Sequence, residues 1–449
     1  MREEVSRLRA EMEKLQRGHK RQAAPFSKGP PKENPKDPGR KAGDLYGMKA
    51  HREVPSQIDE TYDVPLPDEC PHCGGAVEPE GTQQQYQSEI PRKPIHRQFN
   101  VATGRCMRCG RKVQGRHEHQ TSDAMGAAGS QLGPNAQAMM VHLNKDVGAS
   151  YGKIERFCMM FFGIKITRGG AAHVILRAAG RCEAAYHQVR VVVRHSLRVY
   201  PDETGWKVGG RLWWLWVFVT EKATAYVIRD SRGFDVPEEI LGTDYEGQMG
   251  HDGWKVYDRF VGAIHQQCLR RLLNRCTRLL ETGKGAAHRF PQQVRALLQD
   301  SLRLRDRHEA GAVTRHGLSV ATGRLESRLD RLLTWERTNP DNERFAKHLD
   351  NHRDEIFSFL HHPGLEATNY LGEQAIRPST VNRKVWGGNR TESGSVAQSI
   401  LLSVMRTCSQ IGRDFTEFLT QALRAPKNRS VLLFPSSDGP LALPAPETG

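Results

Sequence analysis

No uninterrupted apolar run in this 449-residue chain approaches the roughly 20 residues that a membrane-spanning helix needs. The opening residues, Met1-Arg-Glu-Glu-Val5, lack the apolar centre of a secretory signal. Cysteine is sparse and odd in number, nine in all, which fits a reducing compartment with thiols and metal ligands better than a disulfide framework. Acidic charge is outweighed: 66 Lys and Arg face 51 Asp and Glu, a formal net charge of +15. Together these absences exclude a membrane-spanning class and a disulfide-stapled secreted domain, and predict a soluble cytoplasmic chain. The surplus positive charge implies a polyanionic partner. DNA is the obvious one, although RNA or an anionic membrane surface would answer the same charge. The length leaves room for two or three domains.

Residues 1–20 carry a heptad seam, Val5, Leu8, Met12 and Leu15, too short to choose between a dimerising zipper and a lone amphipathic helix. Residues 21–66 form a linker with Pro30-Pro31, Pro35, Pro38-Gly39 and many lysines, a composition that cannot bury a core. Residues 67–115 hold the clearest metal signal. Cys70-Pro-His-Cys73-Gly-Gly75 is matched by Cys106-Met-Arg-Cys109-Gly110, the pattern of a zinc ribbon with four thiolates around one structural Zn²⁺. The glycines let the backbone turn toward the sulfurs. Gln84 to Asn100 alternates and predicts a hairpin between the knuckles. A thioredoxin-like dithiol needs one such pair, not two. Arg105, Arg108, Arg111 and Lys112 either contact DNA or are simply solvated.

Residues 130–195 read as helical: Ala136–Leu143, Tyr151–Phe161, a turn over Gly163–Gly170, then Ala171–Ala179 and Cys182–Ser196. Helix, glycine-containing turn and helix fits a helix-turn-helix with Lys165, Arg168 and Arg177 near phosphates, and equally fits plain helical packing. Beyond it the pattern is strand, strand, strand, helix, strand. The strands are expected around Val199, over Leu212–Val219 and Thr224–Ile228, and before Asp252, with the short helix at Pro237–Leu241. Asp202 is expected at the end of the first strand and Asp252 at the end of the fourth, which lies beside the first in a mixed sheet. Leucines at helical spacing over 280–365 (Val294, Leu297, Leu298, Leu302; Leu325, Leu329, Leu332, Leu333) predict a helical insertion, and Glu373 follows on a further helix with Arg377 one turn on. Any one of these acids alone reads as a turn, cap or solvated residue. Three of them, at the ends of adjacent strands and on a returning helix, suit two Mg²⁺ ions and phosphodiester chemistry.

The local motifs resemble those of DDE transposases of bacterial insertion sequences, most closely the insertion-sequence sixty-six (TnpC-like) family. Asp202-Glu203-Thr204 is similar to its Asp-Glu-Thr motif, and Asp252-Gly253-Trp254 to its Asp-Gly-Tyr motif. Asn369-Tyr-Leu-Gly-Glu373-Gln-Ala-Ile-Arg377-Pro378 is similar to its C-terminal motif, and Asn382-Arg-Lys-Val-Trp386 with Gly394 to its tail. The likeness runs from the cysteine pairs to about residue 420. Two positions depart from the family: Arg271 stands where it has His after Cys268, and Gln374 where it has Arg.

The resemblance implies an α/β RNase H-like core over 196–425, a mixed five-stranded sheet with flanking helices and the insertion, followed by a flexible tail over 426–449. It implies Asp202, Asp252 and Glu373 as catalytic ligands of two Mg²⁺ ions, Mn²⁺ serving as substitute. Water would cut an element end, and the freed 3′-OH would attack target DNA directly. Arg270, Arg271, Arg377, Arg383 and Lys384 are expected DNA contacts. His265 and Cys268 read either as a metal or strand-positioning pair or as a buried thiol beside a hydrogen-bonded imidazole. The implied partners are terminal inverted repeats, target DNA, further copies of the chain on paired ends, and helper proteins, at the nucleoid. Two other classes share these residues: a catalytically silent zinc-dependent DNA-binding descendant, and an RNase H-like nuclease or junction resolvase without strand transfer.

Overall fold

The structure, a computed structural model, describes residues 54–90, 93–126, 131–426 and 429–435. The heptad seam of 1–20 and most of the linker fall outside these. The chain divides into a unit ending at Ile95 and a unit beginning at His96. In the first unit, the Cys70 N–H donates to the Gly75 carbonyl and the Gly74 N–H to the Cys70 carbonyl, each at 2.8 Å. Gly74 takes φ +72°, a left-handed value that glycine reaches without strain. The described residues of Gln84–Asn100 form no hairpin, and Tyr86, Ile90 and Ile95 are exposed.

The second unit opens with the hairpin instead, around the second knuckle: β1 (Thr103–Arg105) pairs antiparallel with β2 (Lys112–Gln114). The knuckle is its turn, since the Cys106 N–H donates to the Arg111 carbonyl (2.9 Å) and the Gly110 N–H to Cys106 (2.8 Å).

Three helices follow, α1 (Pro134–Lys145), α2 (Tyr151–Phe162) and α3 (Arg168–Arg194). Gly163, at φ +64°, ends α2, and the Thr167 hydroxyl caps α3 by accepting the Gly170 N–H. The two helices expected over 171–196 are one. Ala171, Val174, Ile175, Ala178, Cys182, Ala185, Val189 and Val193 continue a single buried stripe across Gly180. Burial of that stripe outweighs the roughly 1 kcal/mol that a mid-helix glycine costs.

The sheet comprises β3 (Arg198–Val208), β4 (Arg211–Val219), β5 (Thr224–Arg229), β6 (Gln248–His251) and β7 (Ile264–Gln267), with the short helix α4 (Asp235–Leu241) between β5 and β6. Its order is β5-β4-β3-β6-β7. β3–β4 and β4–β5 are antiparallel, while β3–β6 and β6–β7 are parallel. This is the expected mixed five-stranded α/β sheet. Asp202, however, lies within β3 rather than at its end. The parallel ladder to β6 stops at Val199↔Met249, while the antiparallel ladder to β4 continues to Val208↔Arg211. Asp202 therefore sits where β3 loses one of its two neighbours.

The remaining helices are α5 (Leu269–Thr282), α6 (Arg289–Glu309), α7 (Arg315–Leu333), α8 (Pro340–Asn351), α9 (Ser358–His361), α10 (Tyr370–Trp386), α11 (Glu392–Gln410) and α12 (Phe415–Arg424). α6 to α9 are the expected insertion. Strand alternation divides the core. Val199, Trp216 and Phe218 pack with α3, α11 and α12, while Tyr200, Trp206, Leu215 and Val217 pack on the opposite face with α5, the insertion and α10. Residues 429–435 do not hang free as the tail reading supposes: Leu433 is buried, and the Gln188 amide oxygen accepts the N–H groups of Leu433 and Phe434. Among the described residues no helix is long and apolar enough to cross a membrane.

Candidate active site

Asp252 directly follows β6, and Gly253 turns the chain away at φ +84°. A Cβ there would stand 2.6 Å from the Gln267 amide oxygen, so the turn requires glycine. The Asp252 carboxylate accepts the Trp254 N–H at Oδ1 (3.0 Å), closing an Asx turn. On β3 the Asp202 Oδ1 accepts the N–H of Glu203, also at 3.0 Å. Glu373 lies in the first turn of α10, which crosses the β3 face that carries Asp202. The crossing is close: a Cβ on Gly372 would lie 3.1 Å from the Asp202 Cβ and 2.8 Å from the Asn369 side-chain oxygen.

The asparagines and tryptophans of the C-terminal motifs hold that crossing together. The Asn369 amide donates to the Pro201 carbonyl beside Asp202 (2.8 Å), and Asn382 donates to the Lys145 carbonyl (3.1 Å). Trp206 meets Trp386 edge-on at 5.6 Å and donates its indole N–H to Asn389 (2.7 Å). Gly388 passes so near β3 that a Cβ would fall 2.4 Å from the Lys207 carbonyl oxygen.

Two arginines from the start of α5 reach the acids. Arg271 pairs with Asp252 at 2.9 Å and Arg270 with Glu373 at 3.5 Å, and both arginines are more than half exposed. Burial pushes the Asp202 carboxyl up to about 7, helped by the charges of Glu203 and Asp252 and opposed by the Glu203 N–H and Arg271. This is a site with more negative charge than its arginines neutralise, built from hard carboxylate oxygens of the kind Mg²⁺ and Mn²⁺ take. In that respect the donor set fits the ions the resemblance implies. The acids are not gathered around one point: among the described residues, no three His, Cys, Asp or Glu side chains are grouped closely enough to hold a metal ion.

Of the other expected DNA contacts, Arg377 and Lys384 are exposed on α10. Arg383 is half-buried, donates to the Thr204 hydroxyl (3.2 Å), and its burial lowers its pKa. His265 and Cys268 follow the quieter of their two readings. The His265 Nε2–H donates to the Phe260 carbonyl (2.9 Å), so its Nδ1 accepts from His251 Nε2 (3.0 Å), and His251 Nδ1 accepts the Gly253 N–H (3.2 Å). Burial holds His251 neutral, its pKa well below the ordinary histidine range. The Cys268 thiol is buried and receives the Asn369 N–H (3.3 Å).

Within each cysteine knuckle the first sulfur is favoured as thiolate. The N–H groups of His72 and Cys73 lower the pKa of Cys70, and those of Cys109 and Arg108 do the same for Cys106. Cys70 and Cys73 belong to the first unit, Cys106 and Cys109 to the second.

A set of site residues escaped the sequence reading. Glu203 was visible only as the neighbour of Asp202. Its side chain is 3 % exposed, takes two hydrogen bonds from Arg232 (2.8 and 3.2 Å), and accepts the Tyr257 hydroxyl at 3.2 Å. No sequence signal marked Arg232 or Tyr257.

With this geometry described, comparison with known proteins is informative. A family model described as transposase, IS66 family, matches residues 129–397. This is more than half of the chain, and the chain belongs to that family. An uncharacterised protein, y4jO, of Sinorhizobium fredii (strain NBRC 101917 / NGR234) is 26% identical over 107 residues, covering 24% of this chain and 32% of that protein. The match thus spans about a third of the relative's length.

Proposed function

We propose that the chain is a DDE-type transposase that cleaves the ends of an insertion sequence and joins their 3′-OH groups to target DNA. One observation carries this reading: β3, which bears Asp202, lies beside and parallel to β6, which Asp252 directly follows, and α10, which bears Glu373 in its first turn, crosses β3 with Gly372 close to Asp202. Asp202, Asp252 and Glu373 would hold two Mg²⁺ ions, with Mn²⁺ as substitute. When bound, the ions supply Lewis-acid charge for phosphodiester hydrolysis and transesterification.

The chain's own groups do the rest. Backbone N–H groups hold Oδ1 of each aspartate, and the other oxygen of Asp252 pairs with Arg271. Arg270 and Arg271, exposed and forked, are suited to phosphate oxygens of the scissile strand. Arg377, Arg383 and Lys384 extend a basic track along α10. No Ser, Tyr or His is required as a nucleophile, and no covalent DNA intermediate forms. Cys70, Cys73, Cys106 and Cys109 would hold one structural Zn²⁺, a reading supported by the shared knuckle geometry and lowered thiol pKa values. DNA ends, target DNA, further copies of the chain and element-encoded helpers are the proposed partners, at the nucleoid of a bacterial cytoplasm.

The test is strand transfer of a duplex carrying the element's inverted repeats, in Mg²⁺ or Mn²⁺, with Asp252→Ala as control and zinc content measured on the same protein. Joining that disappears in the variant supports the transposase. Cutting without joining identifies a nuclease. Binding without either, helpers included, identifies a silent DNA-binding descendant.

A further inference from the structure

The ladder that joins β3, which bears Asp202, to β6, which Asp252 directly follows, ends before either acid is reached, since it stops at Val199↔Met249. The direct pairing of β3 with β6 therefore does not by itself set their separation. Each carboxylate is held at Oδ1 by one backbone N–H, that of Glu203 for Asp202 and that of Trp254 for Asp252. The side chains of those two holders meet on the opposite side of the sheet from Asp202, and the link between them is Arg232.

Arg232 leaves the loop after β5. Its guanidinium pairs with Glu203 through Nη2 and Nε, and it lies over the Trp254 ring with its carbon 4.0 Å from the centroid. The Trp214 ring of β4 lies 4.5 Å from that carbon. The loop is itself pinned, because the Trp216 indole donates to the Ser231 carbonyl (3.2 Å) and the Ser231 hydroxyl takes the Gly233 N–H (2.9 Å). Tyr257, beyond the Asp252 turn, donates a further hydrogen bond to Glu203. We propose that Glu203, Arg232 and Trp254 form a positioning strut that fixes the distance between the Asp202 and Asp252 carboxylates and so tunes divalent-metal binding. The proposal rests on the reading that these two acids are metal ligands.

A planar, five-donor cation is needed for this task. It can bond Glu203 through two of its nitrogens while lying against two indole rings, which an ammonium cannot do. None of the three strut side chains is itself a proposed ligand. Their effect passes through the backbone N–H groups of residues 203 and 254.

The experiment is calorimetric titration of the full-length, zinc-loaded protein with Mn²⁺ alone, subtracting the heat of an Asp202→Asn/Asp252→Asn double variant, alongside thermal unfolding. Arg232→Gln is expected to weaken Mn²⁺ binding about 10-fold, the scale of losing a group that orients a metal ligand. Arg232→Lys should not restore it, and combining Glu203→Gln with Arg232→Gln should cost little more than the worse single change. Trp254→Phe, which keeps an aromatic face, should bind closer to wild type than Trp254→Ala. Should Arg232→Gln fail to fold, the two Trp254 variants decide the question by the same readout. A folded Arg232→Gln, or a Trp254→Ala, that binds Mn²⁺ as the wild type does would overturn the strut. A wild type that binds no Mn²⁺ overturns the metal-site reading and the strut with it.

Discussion

Asp202 and Glu203 are neighbours on one strand, and burial raises the pKa of both, yet strand alternation sends them to opposite faces of the sheet and to different partners. On the Asp202 face, α10 crosses close by, and among the described residues the cations paired with Asp252 and Glu373 are the exposed Arg271 and Arg270. Burial, with the charges of Glu203 and Asp252 added to it, pushes the Asp202 carboxyl up to about 7. On the Glu203 face the carboxylate meets Arg232 and Tyr257 in a network closed by two tryptophans. One carboxylate is under-neutralised and available, while the other is satisfied and committed. A site that must receive cations and phosphates needs both kinds, because a satisfied charge can serve as framework only if it has no reason to leave its partners.

The largest effects should come from removing the available charge. Asp202→Asn should reduce cleavage and joining by at least ~10³-fold, the scale of losing an electrostatic stabiliser from an active site. The same change should stabilise the metal-free fold. A carboxyl whose folded pKa is raised disfavours the folded state once ionised, so the penalty is absent below the ordinary value of 3.8, grows as pH rises, and is complete above about 7. In chelator, Asp202→Asn should therefore gain on the order of 2–4 kcal/mol at pH 8 and almost nothing at pH 4, read from thermal unfolding against pH. Equal stability of the two proteins at pH 8 would erase the contrast between the faces.

The strut variants come next, at about 10-fold in metal affinity. Gly372→Ala sharpens the comparison from the α10 side. Its methyl would press on Asn369 and the Asp202 Cβ, costing roughly 1–3 kcal/mol of stability and moving Glu373 away from the aspartates. Strand transfer in that variant should fall by more than its DNA binding does.

The smallest effect concerns a buried charge remote from the acids. Lys145 is wholly buried, its ammonium bonded to Gln398, and burial lowers its pKa to about 7. Its folded pKa lies below the unfolded one, so the fold carries no penalty above the ordinary value of 10.5 and acquires one as pH falls toward about 7. Lys145→Met should raise stability at pH 7 by roughly 1–2 kcal/mol, once the orphaned Gln398 amide is counted against it, with the gain fading near pH 10. Activity should track the wild type, which distinguishes a structural buried charge from a working one.

How much of this was legible varies from residue to residue. Asp252 with Gly253 could be read as a strand end followed by a tight turn, and the turn is there. Asp202 was misjudged as a strand end because propensity does not reveal that β3 outruns its parallel partner. The single helix α3 reads from sequence as two, Ala171–Ala179 and Cys182–Ser196, because the local pattern does not carry the burial that joins them across Gly180. The alternating residues 84–100 suggested a hairpin, but alternation makes a strand only where one face is buried. Arg232 was invisible, since its role depends on a glutamate, a tyrosine and two tryptophans brought from separate segments.

The sequence by itself determined most element types, the strand-strand-strand-helix-strand succession, the helices over 280–365 and the paired cysteine knuckles. These follow from short-range periodicity and residue chemistry, while the resemblance to a family singled out the three acids. Tertiary structure alone decided which acid is satisfied and which is exposed to unmet charge, which arginines serve as struts and which stand ready for phosphate, and why Gly372 must lack a side chain. Charge compensation and close packing depend on distances between segments far apart in the chain, and a linear pattern carries no record of those distances.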